Sequence, residues 1–572
     1  MTDMQMWQIQ QIQQIQKTER IRYMAETMLE RGAGVLMPVS SLPSPYGIGS
    51  FGKAACEFID ALVRAKQKYW QVLPMGPTGY GDSPYAPYSA FAGNPYFIDL
   101  DVLREEGLLE QQEIDAYSWG ERADRVDYGC LYNGRFPLLK KAFERSQYRE
   151  FPEYGEFTAQ SVYWLEDYAM YMALKKSHQE AGWMDWEEDI RRREPEAMQR
   201  AKKELAEEID YWKFIQFKFW QQWKKIRAYA AERNISIIGD IPLYVAYDSA
   251  DVWGRQEQFQ LNRKTLFPAE VAGVPPDAFS ETGQLWGNPL YNWTEMTKDG
   301  FVWWRERMKT NASLYDVIRI DHFIGITQYF AIPYGETTAQ NGHWRKGPGK
   351  KLTDAIDEAI KEYDAKIIAE DLGVFVPAVQ KLLEQTGYPG MKVIEFAFSG
   401  DRKNPHLPHC YVPNSVVYGG THDNETLAGY FRQDARQWWE LQYICDYLGV
   451  AHIAEVPDRV FRAAYGSVAS AAIFQIQDVI GLDNSARMNT PGTFGGNWCW
   501  RMLPGAVTEE LTEKLRQYTM TFRRAEDIRL KEEAAAKAAR EAAAKAAKEK
   551  AAVKAKAASK ETAKRKQLEK QL

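Results

Sequence analysis

One layout, recurring four times, limits what this chain can fold into: a short apolar or β-branched run stops abruptly at an acid. Ile235–Ile238 is followed by Gly239 and Asp240, then Ile241-Pro242. Val317–Ile320 ends at Asp321-His322, and Lys366–Ala369 ends at Glu370-Asp371. Val416-Val417-Tyr418 runs through Gly419-Gly420-Thr421 to His422-Asp423. Helical periodicity fills the gaps, as in 353–363 and 376–386. Continuous apolar runs of this length read as strands buried on both faces of a parallel sheet, each needing a crossover helix. In a closed parallel barrel the C-terminal strand ends converge on one face and carry the active site. The expected fold is therefore α/β, a (β/α)8 TIM barrel whose acids form one cluster. Near the start, the apolar run within 31–39 leads into turn chemistry at 40–47, residues 53–67 read as a helix, and Tyr69–Leu73 as the next strand.

Texture divides the chain further. Residues 101–225 are rich in charge and helical periodicity and read as a helical insertion in a catalytic unit spanning 31–526. Residues 1–30 form a Gln-rich extension, with Trp7, Ile9, Ile12 and Ile15 along one helical edge. Residues 527–572 form a basic Ala/Lys-rich tail, whose composition favours a solvated, semi-rigid helix. Within that tail, residues 531–572 hold 13 Lys/Arg against 6 Asp/Glu, a net +7, in a chain of net charge -6. The other 530 residues therefore carry -13. An acidic body disfavours nucleic acid as a partner, because phosphate binding needs a basic surface. No apolar run approaches 18 residues and no signal-peptide pattern opens the chain, so neither a membrane span nor export is expected. Five cysteines stand at scattered spacings with no metal-ligand pattern, which suits reduced thiols and a cytoplasmic location.

An acidic cluster at strand ends suits two chemistries. Hard divalent cations take oxygen ligands. Glycoside chemistry needs two carboxylates about the sugar C1, one to attack it and one to protonate the leaving oxygen. Arg319 and His422 favour sugar, since both donate hydrogen bonds and both stand beside carboxylates. Strand alternation points Arg319 and Asp321 the same way, which gives the attacking carboxylate a cationic neighbour. Cations beside the cluster argue against a bound metal. The chain is also rich in aromatic side chains, with 19 Trp and 32 Tyr. Such rings match the C–H faces of sugars while their N–H or O–H groups reach hydroxyls.

Longer motifs sharpen this reading. They include Pro38-Val39-Ser40-Ser41-Leu42-Pro43, Trp70-Gln71-Val72-Leu73-Pro74, Gly79-Tyr80-Gly81-Asp82-Ser83-Pro84-Tyr85 and Gly283-Gln284-Leu285-Trp286-Gly287-Asn288-Pro289. Further on come Arg319-Ile320-Asp321-His322-Phe323, Ala369-Glu370-Asp371-Leu372-Gly373, Thr421-His422-Asp423-Asn424 and Ala486-Arg487-Met488-Asn489. Over about 31–524 the chain resembles the 4-alpha-glucanotransferases of the amylomaltase or disproportionating-enzyme type, glycoside hydrolase family 77. The resemblance implies a retaining transfer of an α-1,4-glucan segment to the 4-hydroxyl of an acceptor glucose or maltooligosaccharide. It implies Asp321 as nucleophile, Glu370 as general acid/base and Asp423 as transition-state stabiliser. Arg319, His422, Asp240 and Tyr85 would surround the donor sugar. Gln284 and Trp286 would lie on a lid loop over the cleft, and Tyr80 in a surface glucan site. No metal or organic cofactor is implied, and the partners are α-1,4-glucans and maltooligosaccharides. Ile324, Ser399 and Glu425 depart from the usual pattern without touching the three carboxylates. Two alternatives use the same residues: an α-glucan hydrolase, and a glucan-binding scaffold without catalysis. The presence of all three carboxylates disfavours the scaffold, and a lid that excludes water favours transfer over hydrolysis.

Overall fold

The structure is a computed structural model, and it describes residues 29–525 apart from Tyr80, 277–279, 432–436 and Phe494. The N-terminal extension (bar its last two residues), the basic tail and the Tyr80 surface site lie outside the described residues.

Eight parallel strands close into a barrel. In chain order they are β1 (Gly32–Leu36), β2 (Tyr69–Gln71), β3 (Ser236–Ile241), β6 (Val317–Ile320), β9 (Lys366–Ala369), β10 (Gly390–Val393), β11 (Ser415–Tyr418) and β12 (Ala471–Gln475). Each strand pairs with the next, and β12 closes onto β1 with Gly32 opposite Ala471. The strand interiors are almost wholly buried, as the continuous apolar runs require. The first crossover helix spans Lys53–Arg64, and those at Lys350–Ile360 and Pro377–Thr386 also fall within two or three residues of the periodicity in the sequence. The charged stretch after β2 is helical, from Leu100–Glu105 through to the 26-residue helix Ala206–Ala231 that returns the chain to β3.

A second sheet is absent from the sequence reading. β4 (Glu270–Val274), β5 (Gln284–Pro289), β7 (Gln328–Pro333) and β8 (His343–Lys346) form a four-stranded sheet of order β5-β4-β7-β8 with antiparallel pairings. The segment read as a lid loop is thus the edge strand β5. Its ladder with β4 shifts register between Val271 and Gly273, and Gly287 takes a positive φ of 79° that favours glycine. This sheet branches from the barrel beside β6, because β7 begins seven residues after Asp321.

Closure at the N-terminal end of the barrel depends on one buried cation. Arg524 donates to the carbonyls of Gly32, Ala464, Tyr465, Ser467, Ala469 and Ser470, joining the start of β1 to the segment that enters β12. Burial pulls this guanidinium down to about 9, with the Arg31 charge adding to the effect. Six carbonyls lose one donor in Arg524→Met, but Arg31 still donates to those of Tyr465, Ser467 and Ala469 and backbone N–H groups to those of Ala464 and Ser470, so the total cost is on the order of 1–3 kcal/mol. The variant is expected to melt several degrees lower by differential scanning calorimetry, with an unchanged dissociation constant for maltooligosaccharide.

Candidate active site

The acids of three adjacent strands meet by register. Asp240 on β3 stands opposite Arg319 on β6, and Ile320 on β6 stands opposite Ala369 on β9. Asp321 and Glu370 therefore leave the sheet side by side. The Asp321 N–H donates to the Ile241 carbonyl, and the Glu370 N–H to that of Ile320, both at 3.0 Å.

Arg319 organises the donor side. Its Nη1 donates to both Asp240 carboxylate oxygens at 2.7 and 2.8 Å and to Asp321 Oδ1 at 2.9 Å. Burial opposes the guanidinium charge, but Asp240 and Asp321 outweigh it and hold the group well above its ordinary value. The exposures separate the carboxylates by task. The Asp240 side chain is 0% exposed, whereas Asp321 and Asp423 are 30% and 47% exposed. Asp240, expected at the donor sugar, thus faces protein: its second partner is the Tyr85 hydroxyl, which donates to Oδ2 at 2.9 Å. Burial, opposed by Arg319, leaves the Asp240 carboxyl above its usual range.

Tyr85 also stacks on His422, with ring centroids 5.0 Å apart and planes 20° from parallel. His422 Nε2 lies 3.5 Å from Asp423 Oδ2. The other Asp423 oxygen accepts from Asn489 Nδ2 at 2.6 Å, and Arg487 donates to the Asp423 carbonyl at 2.6 Å. Asn489 and Arg487 belong to a motif quoted in the sequence analysis without a role. Trp498, its ring 5.9 Å from His422 and 5.7 Å from Tyr85, completes this wall.

Glu370 is set by backbone. Its Oε2 accepts the His322 N–H at 2.6 Å, and its Oε1 the Leu372 N–H at 2.8 Å. Burial and then the Asp321 charge raise its carboxyl to about 8, against the pull of Arg319 and the two N–H groups. His322 delivers its N–H by taking a φ of 51°, a left-handed conformation that costs a residue with a Cβ on the order of 1 kcal/mol. Desolvation of its half-buried ring lowers it to about 4, so the imidazole is neutral at pH 7. His322 is a site residue that sequence reasoning missed, since its role is carried by the backbone.

Trp286 stands edge-on over that imidazole, with ring centroids 4.8 Å apart and planes at 85°. At 38% exposure it is a cleft-facing plate rather than core. Gln284 accepts the Trp286 Nε1–H at 3.1 Å, so it orients the plate. Two of the other five histidines stand apart: His343 is exposed beside Glu270, and His406 Nδ1 accepts the Val393 N–H at 3.1 Å.

Two buried or half-buried carboxylates held by one arginine, a protonatable glutamate and an aromatic plate form a site suited to displacement at a sugar C1. Comparison with known proteins agrees. The family profile described as 4-alpha-glucanotransferase, glycoside hydrolase family 77, matches residues 37–508. A 4-alpha-glucanotransferase of Clostridium butyricum is 46% identical over 490 residues, covering 86% of this chain and 100% of that protein. A chloroplastic/amyloplastic 4-alpha-glucanotransferase of Solanum tuberosum is 42% identical over 510 residues, covering 86% of each chain. Among solved structures, an amylomaltase from Streptococcus agalactiae in complex with acarbose superposes with a TM-score of 0.83 at 39% identity, covering 87% of this chain and 100% of that one. By profile, by sequence and by fold, the chain belongs to glycoside hydrolase family 77 and is an enzyme of the 4-alpha-glucanotransferase type.

Proposed function

We propose that Asp321, Glu370 and Asp423 carry a retaining double displacement on α-1,4-glucans. The observation that carries this reading is the pairing of a carboxylate anchored on Arg319 with a glutamate raised to about 8 beside it. An attacking group paired with a guanidinium, beside a glutamate that keeps its proton at pH 7, is the division of labour that the chemistry needs. Asp321 attacks C1 of the donor sugar as Glu370 passes its proton to the leaving glycosidic oxygen. A covalent glycosyl–Asp321 ester forms and a shortened glucan leaves. Glu370, now a carboxylate, takes the proton of an acceptor 4-hydroxyl, whose oxygen attacks C1 and releases Asp321. The configuration at C1 is inverted twice and so retained.

The surrounding residues position these steps. Arg319 fixes the rotamer of Asp321, and Asp240 with Tyr85 fixes Arg319. Asp423, held by Asn489, offers its exposed oxygen to sugar hydroxyls, with His422 alongside. Trp286 supplies a face for the acceptor sugar and covers the intermediate against water. The substrates in this reading are maltooligosaccharides and longer α-1,4-glucans in cytoplasmic maltodextrin or starch metabolism.

Product analysis from pure maltotriose tests the reading. A ladder of longer oligomers plus glucose, with little gain in total reducing ends, is the expected result. Reducing ends that rise in step with cleavage, without longer products, would make the protein a hydrolase. Binding without any product would make it a scaffold. In Trp286→Ala the acceptor loses its plate and water gains entry. Hydrolysis as a fraction of turnover is expected to rise about tenfold, read as reducing ends released per glycosidic bond transferred.

A further inference from the structure

Two buried carboxyl groups lie outside the catalytic set, on either side of β11. Glu395 follows β10, and Asp478 lies in the short helix Ile476–Ile480 that follows β12. In the barrel, β11 stands between β10 and β12. The segment leaving β11, from Gly419 to Thr426, carries His422 and Asp423, so these two acids bracket it.

Both are tied to that segment. The Glu395 N–H donates to the Gly419 carbonyl at 3.1 Å, and Tyr430 just beyond the segment donates its hydroxyl to the Glu395 carbonyl. The Glu395 carboxyl packs directly on Gly420: a Cβ there would lie 2.5 Å from Oε1 and 3.0 Å from the Asn424 Cβ. Asp478 Oδ1 accepts the Leu427 N–H at 2.7 Å. Glu395 is 3% exposed and Asp478 7% exposed. Each leaves one oxygen, Glu395 Oε1 and Asp478 Oδ2, buried without a hydrogen-bond partner among the described residues.

Two orphaned carboxylate oxygens in one buried region are costly as anions. Among the described residues the charged groups that act on Glu395 are Asp478, Glu425 and Arg487, with the Asn424 amide as its neutral neighbour. Arg487 is spent on the Asp423 and Asn489 carbonyls, and Asn484 donates to Glu425. Among the described residues Arg487 is thus a charged neighbour of Glu395 whose hydrogen bonds go to carbonyls rather than to either acid. We propose that Glu395 and Asp478 are positioning residues that stay protonated as a buried pair and so hold the segment bearing His422 and Asp423 in register. Burial raises both acids, with the Asp478 charge adding to the effect on Glu395, and Asp478 reaches about 7. Raising the pH strips these protons and leaves like charges beneath the segment. The proposal rests on the reading of Asp423 as a sugar-binding carboxylate.

The signs follow from the raised values. The folded state holds protons that the unfolded state has released, so stability falls as the pH rises above the ordinary carboxyl range and through the folded values. Glu395→Gln is neutral at every pH and nearly the same shape. It is expected to keep kcat for maltotriose within about threefold of the parent at pH 6. Its melting temperature should fall less than the parent's between pH 6 and 9, and its alkaline loss of log kcat should be shallower than the parent's by about one unit of slope, because one of three titrating carboxyls (Glu370, Glu395 and Asp478) is gone. Asp478→Asn should behave in the same way at its own position. Glu395→Ala, which removes the packing on Gly420, is expected to lower kcat at least tenfold at every pH. Parallel melting curves and equal alkaline slopes in parent and Glu395→Gln would overturn the proposal. The melting curves need no substrate, so they test the pair even if the parent transfers no glucan.

Discussion

Asp321→Asn is expected to lower kcat on maltotriose by on the order of 10⁴-fold or more, as the loss of an attacking group does elsewhere. At 1.36 kcal/mol per decade this is at least about 5.5 kcal/mol of lost transition-state stabilisation. An amide cannot form the ester with C1, so no intermediate can be reached. Binding is expected to survive, because Arg319 keeps both of its contacts to Asp240 when Asp321 loses its charge. A dissociation constant for acarbose within about threefold of the parent, read by calorimetry, would separate lost chemistry from a damaged site. Residual transfer within a hundredfold of the parent would remove Asp321 from the role of nucleophile.

Glu370→Gln is expected to cost about 10³-fold in kcat with maltotriose, within the 10²–10⁴ range for a positioned acid/base. The loss depends on the leaving group. A maltotriosyl fluoride needs no proton to leave, so formation of the intermediate should survive while its transfer to a sugar acceptor stalls. Azide, which needs no general base, should then restore turnover and give an α-glycosyl azide. The pH profile carries the same signature. Glu370 donates only when protonated, so parent activity should fall as the pH rises past about 8. The azide-rescued variant has no carboxyl there and should lose that contribution to its alkaline limb.

Much of this site was legible in the sequence because parallel barrel strands announce themselves as apolar runs and place their next residues on one face. The strands that end in Asp240, Asp321, Glu370 and Asp423 all had that form. β10, read Gly390-Met391-Lys392-Val393, did not, because it holds a single β-branched residue, and β12 begins with two alanines. The antiparallel sheet was invisible for a related reason. β8 is His343-Trp344-Arg345-Lys346, exposed throughout, and β5 contains Gly287, Asn288 and Pro289, which read as a turn. Such edge strands are held by ladder hydrogen bonds to β4 and β7 rather than by burial, so no hydrophobic period marks them.

The same limit applies within the site. Residue type and strand spacing placed Arg319 beside Asp321. They could not show that Asp240 would be wholly buried behind Arg319, since both are charged groups at strand ends. Nor could they show that His322 acts through its backbone N–H, or that Glu395 and Asp478 bracket the Asp423 segment. Those features depend on contacts between residues far apart in the chain. Gly420, one residue before Thr421, is the exception in retrospect, because a glycine pair before Thr421-His422-Asp423 marks a close approach by another side chain.

Mass spectrometry of Glu370→Gln after brief exposure to a maltooligosaccharyl fluoride addresses the central claim most directly. The double displacement predicts a stoichiometric glycosyl adduct, with its mass on the proteolytic peptide that contains Asp321 and fragmentation assigning it to that side chain. An adduct on a different carboxylate, or rapid release of sugar from Glu370→Gln with no adduct at any time point, would contradict it.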